Sequence, residues 1–167
     1  MRQTAITIDV PAAEPVVARW REQYDPPAVM GMPAHVTLLW PFVPRCEAVV
    51  RELRSLFAAR AAFDVEFAST ARFPGGVLYL APEPAAPLRE LTEAIFERWP
   101  EAPPFEGAYE DIVPHLTVAN GHADDVLDAV DAELRAGLPV ATRVDEAQLY
   151  EFDGGRWGVT DRFALGG

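Results

Sequence analysis

The chain has 167 residues, half of them apolar, and its 26 acidic side chains exceed the 14 basic ones, which gives a formal charge of −12 at pH 7. This length suits a single domain with a substantial core, and no apolar run is long enough to cross a membrane. All 14 basic residues are arginine, so a P-loop lysine and a lysine nucleophile are excluded, and the acidic charge argues against extended nucleic-acid binding.

The first part of the chain predicts two strands and two helices. Residues 4–10 alternate as a half-buried strand, and residues 16–24 have helical spacing that ends at Asp25-Pro26-Pro27. The first residues, MRQTAITIDVP, have none of the features of a secretory signal, so we do not expect secretion. A β-branched and aromatic run predicts a strand over residues 35–40, stopped by Pro41, and an amphipathic helix follows over residues 47–60. The single Cys46 cannot form an internal disulfide, so we expect a cytoplasmic protein.

The remainder of the chain continues the mixed pattern. The prolines between residues 82 and 87 predict a surface loop, and a further loop is expected to run from residue 100 to about residue 111. Strands are predicted over residues 63–67, 77–80, 115–119, 146–152 and 156–163, and helices over residues 88–99 and 126–134. Glycine-containing turns at 74–76 and 153–155 indicate two hairpins. No glycine-rich dinucleotide turn follows the first strand.

A weak internal repeat is the most informative feature of the sequence. Residues 33–38 read PAHVTL, residues 113–118 read VPHLTV, and the two histidines are 80 positions apart (115 − 35). Because side chains alternate along a strand, each histidine shares a face with the threonine two residues later, and the aliphatic residues share the other face. If the two segments pack around a pseudo-two-fold axis, two imidazoles and two hydroxyls converge on one cleft.

Such a cleft suits phosphodiester cleavage, in which the attacking and leaving oxygens lie on opposite sides of phosphorus. A neutral imidazole can take a proton from the attacking group, and a protonated one can donate a proton to the leaving alkoxide. His35 and His115 are therefore the candidate catalytic residues, and Thr37 and Thr117 are candidates to hold the non-bridging oxygens. A lone His-x-Thr on a strand is more often purely structural, so the interpretation depends on the pair.

Weaker candidates for substrate contact are aromatic and arginine side chains. Large aromatics on strands are more often core residues, and exposed arginines are more often solvated. The candidates are Phe42, Tyr79, Arg156 and Trp157. No cluster of histidine or cysteine has zinc-ligand spacing, and no nucleophile-elbow serine is present, so neither a metal site nor a cofactor is expected.

The two His-x-Thr segments, the continuation Leu38-Leu39-Trp40-Pro41-Phe42 and the segment at residues 76–82 resemble the two-histidine (2H) phosphoesterases, specifically the 2′-5′ RNA ligase-like branch. The resemblance covers most of the chain. It implies an α+β fold, a single domain over residues 1–167 made of two duplicated, pseudo-symmetric lobes, each an antiparallel-rich sheet with flanking helices, around a central cleft. The second motif lacks the Pro-Phe that follows the first, which leaves the wall of that half undefined.

The resemblance also implies an activity: metal-independent hydrolysis of 2′,3′-cyclic or 2′-5′ phosphodiesters, with His35 and His115 as general acid and base. The expected substrate is a small nucleotide or a cyclic phosphate, with RNA ends as a further possibility, and the expected state is a monomer with no membrane partner. Three alternatives stay open: a non-catalytic nucleotide-binding or phosphate-binding module, a 2′-5′ RNA ligase that catalyses the reverse reaction, and a structural or interaction protein.

Overall fold

The structure, a computed structural model that describes residues 2–166, contains two four-stranded antiparallel sheets with helices packed against them. The strands are β1 (Gln3–Asp9), β2 (His35–Phe42), β3 (Phe63–Phe73), β4 (Val77–Glu83), β5 (Leu116–Asn120), β6 (Val140–Val144), β7 (Glu146–Phe152) and β8 (Trp157–Ala164). The helices are α1 (Glu14–Tyr24), α2 (Pro26–Val29), α3 (Glu47–Ala58), α4 (Ala86–Arg98) and α5 (Asp124–Leu134). None of the helices within residues 2–166 combines the length and apolarity that a membrane span requires.

The two sheets are not consecutive halves of the chain. The first sheet has the strand order β2-β1-β7-β8 and joins both ends of the chain, whereas the second has the order β5-β4-β3-β6 and uses the middle. In each sheet the strand associated with a His-x-Thr segment is an edge strand, and β2 and β5 lie close to each other. The predicted α+β fold of two lobes around a cleft is confirmed.

The helices connect the two lobes, because each of two helices packs against a strand of the opposite sheet. Helix α1 follows β1 but packs against β5, and α4 follows β4 but packs against β2. In the second case the Thr92 hydroxyl on α4 donates a buried 2.7 Å hydrogen bond to the Leu38 carbonyl of β2. One continuous apolar core, which includes Phe57, Phe67 and Phe163, therefore lies behind both sheets and fixes the two edge strands relative to each other.

Both His-x-Thr strands have a β-bulge at the equivalent position. Along β2 the pairing with β1 moves from Thr37 to Leu39, and along β5 the pairing with β4 moves from Thr117 to Ala119. A bulge inserts one residue and reverses the alternation of side chains beyond it. As a result Trp40 faces the cleft, although simple alternation from His35 places it on the core face.

Several predicted boundaries are wrong for identifiable reasons. Strand β2 continues through Pro41 because an edge strand can spare an N–H group. Residues 82–87 are not a loop: Pro82 belongs to β4, at a point where β5 no longer pairs, and α4 begins at Ala86. Strand β6 was not predicted, because only Val140 and Val144 at its ends are buried and no alternating apolar run marks it.

Candidate active site

A single cleft of about 1130 Å³ lies between the sheets and is lined by both His-x-Thr pairs. His35 and Thr37 enter it from β2, Thr117 enters from β5, and His115 precedes β5 directly. The pattern behind this placement is simple, since Val36 and the other aliphatic residues of these strands are buried and leave the polar face to the cleft. The predicted convergence of the four side chains on one cleft is present in the structure.

Both imidazoles are held in the same way by their own backbone. Nδ1 of His35 lies 2.7 Å from the Pro33 carbonyl oxygen, and Nδ1 of His115 lies 2.8 Å from the Val113 carbonyl oxygen. A carbonyl only accepts, so in each ring Nδ1 carries the hydrogen and donates it. The tautomer is thereby fixed, and Nε2 is left on each ring as the nitrogen that can accept or deliver a proton.

The two threonine hydroxyls are available for a ligand. Neither Thr37 nor Thr117 uses its hydroxyl in a side-chain hydrogen bond within residues 2–166, and both side chains are partly exposed in the cleft. Thr7, which is paired with Thr37 across β1 and β2, differs, because its hydroxyl donates to the Asp9 carboxylate at 3.0 Å. A free hydroxyl beside each imidazole can donate to a phosphoryl oxygen.

Burial makes both imidazoles reluctant to accept a proton. Loss of solvation, with the charge of Arg21 and that of His115 as smaller causes, lowers the pKa of His35 from 6.5 to about 4, against the opposing effect of its bond to Pro33. Burial also lowers the pKa of His115, and the bond to Val113 opposes this. The contribution of His115 to the lowered pKa of His35 is consistent with the placement of both rings in one cleft.

The positive charge near His35 belongs to a buried ion pair that the sequence interpretation missed. Arg21 and Asp25, four residues apart around the end of α1, are each 2 % exposed and are joined by a 3.1 Å hydrogen bond. Arg21 also donates to the Met32 carbonyl at 3.0 Å, and Asp25 lines the cleft. The i, i+4 spacing of opposite charges was visible in the sequence, but burial of the pair was not.

His115 lies among aromatic rings. Phe73 and Tyr79 pack edge-on against the imidazole at centroid distances of 4.9 and 5.5 Å, and Phe105 stacks nearly parallel to it at 6.1 Å. Phe105 belongs to the segment between α4 and β5 and adopts φ 50° and ψ 38°, the left-handed region that non-glycine residues rarely occupy. This segment, with Tyr109, forms a wall that lacks periodicity and was predicted only as a loop.

The weaker candidates for substrate contact lie in different parts of the structure. Trp157 lines the cleft, whereas Phe42 does not: it is 7 % exposed and packs edge-on against Trp99 in the core. Phe42 therefore lies in the core and not in the cleft where contact with substrate was expected, because a second register shift between Leu39 and Phe42 directs this ring inward. Tyr79 is buried behind His115 and supports that ring, and Arg156 is exposed beside Gly31, outside the cleft lining.

The two motifs continue differently, and the residues at the equivalent position beyond each bulge line the cleft with different side chains. Trp40 and Asn120 each lie five residues after a motif histidine, beyond the bulge, and both line the cleft. One wall therefore presents an indole where the other presents an amide. Across the described range, no three His, Cys, Asp or Glu side chains are grouped closely enough to hold a metal ion.

Comparison with known proteins agrees with this geometry. The profile of the 2′-5′ RNA ligase superfamily matches residues 8–156. A Bacillus licheniformis protein and a Bacillus pumilus protein, whose names class them provisionally as phosphoesterases, are each 31% identical to this chain, over 88% of it and over 88% and 87% of their own lengths.

Solved structures share the fold. Escherichia coli LigT in its apo form covers 99% of this chain, with 98% of LigT matched, at a TM-score of 0.65 and 22% identity. A Thermus thermophilus protein, TT0787, covers 100% with 99% of its own chain matched, at a TM-score of 0.60 and 22% identity. The chain therefore belongs to the 2′-5′ RNA ligase superfamily, within the two-histidine phosphoesterases.

Proposed function

We propose that the protein is a metal-independent phosphodiesterase that hydrolyses 2′,3′-cyclic or 2′-5′ phosphodiesters of small nucleotides or RNA ends by paired general acid and base catalysis. One observation supports this proposal above the others: two imidazoles, each anchored through Nδ1 to a backbone carbonyl, present Nε2 to the same cleft beside a free threonine hydroxyl. One nitrogen can serve the attacking water and the other the leaving oxygen of a single phosphoryl group.

The surroundings of the rings favour a division of roles. The positive charge of Arg21 helps to lower the pKa of His35, whereas the pKa of His115 is lowered by burial. His35 is then the ring that starts neutral and takes the proton from water, and His115 is the ring that donates a proton to the departing alkoxide. The hydroxyls of Thr37 and Thr117 donate to the non-bridging oxygens, where negative charge increases in the transition state.

Hydrolysis of a nucleoside 2′,3′-cyclic phosphate in the presence of EDTA tests the proposal. We expect turnover under chelation, and a loss of kcat/KM of at least about 100-fold in His35→Ala and in His115→Ala. His122→Gln is the matched control, because the third histidine is bonded through Nε2 to the Tyr24 carbonyl at 3.0 Å and does not line the cleft. Tight binding of the nucleotide without turnover would instead indicate a binding module.

A further inference from the structure

The lining of the cleft has an unusual charge for a phosphate site. The sequence contains no lysine, and none of its arginines lines the cleft within the described residues. Arg89 donates to the Ile112 carbonyl at 3.1 Å, and Arg156 lies beside Gly31. Both arginines are therefore near the rim of the cleft, but neither belongs to its lining. The histidines and threonines are left as the contacts for one phosphoryl group.

The ionised groups of the lining are acidic. Asp25 is paired with Arg21, but Glu110 and Asp111 are exposed at the rim and have no ion-pair partner within residues 2–166. An anionic group outside the phosphoryl position therefore meets carboxylates and an apolar wall, and it loses solvation without gaining a cation. The net charge of −12 also repels anionic ligands at long range.

The rest of the cleft suits an uncharged ring. Trp40 and Phe105 have centroids 6.4 Å apart, and Tyr109 packs edge-on against Phe105 at 5.8 Å. The Trp40 indole nitrogen is buried without a hydrogen-bond partner in the described part of the chain. A volume of about 1130 Å³ leaves room for a substituent much larger than a phosphate.

We infer that the scissile phosphate is the only anion that the cleft accepts, so the substrate is a monoanionic phosphodiester with an uncharged aromatic substituent, and polyanionic nucleotides are excluded. This inference rests on the proposed function, because it concerns the substrate of the same site. It narrows the proposed substrates to nucleoside phosphodiesters that have no further phosphate, and RNA ends are then not substrates.

A matched pair of substrates tests the inference: adenosine 2′,3′-cyclic phosphate and the same compound with a 5′-phosphate. We expect kcat/KM to be at least about tenfold higher for the compound without the 5′-phosphate, and the ratio to decrease as salt is added. The double variant Glu110→Gln/Asp111→Asn should reduce this ratio about threefold, since it removes the rim charge. The control Glu90→Gln/Glu97→Gln removes the same charge from the exposed face of α4, outside the cleft, and should leave the ratio unchanged.

The outcomes separate this inference from the proposed function. Histidine-dependent turnover with equal or higher kcat/KM for the 5′-phosphorylated compound would overturn the inference and leave the proposed function intact. If neither compound is turned over, the proposed function fails, and calorimetric dissociation constants for the two compounds decide the inference. Affinity at least about tenfold higher for the compound without the 5′-phosphate supports the inference, and equal affinities contradict it.

Discussion

The lowered pKa of His35 predicts a measurable link between pH and stability. The pKa of His35 is about 4 in the folded chain and 6.5 when the ring is exposed. Between these two pH values the unfolded chain binds more protons than the folded chain. The contribution of His35 to the free energy of unfolding is therefore complete above pH 6.5 and decreases as the pH falls. The linkage relation gives a loss of about 2 kcal/mol in the free energy of unfolding between pH 7 and pH 5 from this residue alone.

Urea denaturation of the wild type and of His35→Asn at the two pH values measures this loss. Asp9 and Asp25 also titrate abnormally, since burial raises the pKa of both carboxyl groups, but they are present in both proteins and their effect cancels in the comparison. We expect the wild type to lose about 2 kcal/mol more than the variant. Equal losses in both proteins would show that the His35 imidazole is not desolvated, and the electrostatic account of the cleft would be wrong.

Three further predictions concern the two imidazoles, the buried Arg21–Asp25 pair and the Thr117 hydroxyl. The profile of kcat/KM against pH should be bell-shaped with its optimum below the ordinary imidazole value of 6.5, because burial lowers the pKa of both rings; a rate that only rises between pH 4 and pH 9 would contradict paired roles. Arg21→Leu should reduce the free energy of unfolding by about 3–5 kcal/mol because Asp25 is left buried and unpaired, and Arg21→Leu/Asp25→Leu should recover most of it in urea denaturation; similar losses in both variants would refute the buried-pair account. Thr117→Val should lower kcat/KM at least about tenfold while Thr117→Ser stays near the wild type, because only serine keeps the hydroxyl; equal rates would show that this hydroxyl does not contact the phosphate.

The sequence was most informative where the side-chain pattern had a single physical interpretation. Alternation along PAHVTL and VPHLTV placed His35 and His115 on the cleft face, because the intervening aliphatic residues must be buried. Likewise the apolar spacing of α1 and α4 predicted both helices, although not that each packs on the strand of the opposite lobe. That crossing depends on tertiary packing, which has no local signal.

The rest of the site depends on irregular backbone that alternation cannot predict. The bulge after Thr37 turns Trp40 into the cleft, and a second register shift between Leu39 and Phe42 returns Phe42 to the core face. Phe105 is placed by a left-handed backbone conformation in a segment without periodicity. Burial of the Arg21–Asp25 pair was also invisible in the sequence, because i, i+4 charge pairs are usually exposed.

The proposed roles of the two imidazoles, His35 as base and His115 as acid, can be tested through the leaving group. A nucleoside 2′-phosphodiester with an ethyl leaving group needs a proton donor, whereas the same compound with a p-nitrophenyl group does not. On the p-nitrophenyl compound we expect His115→Asn to recover to within about tenfold of the wild type, while His35→Asn stays at least about 100-fold below it. Recovery of both variants, or of neither, would contradict the assignment of one ring as acid and the other as base.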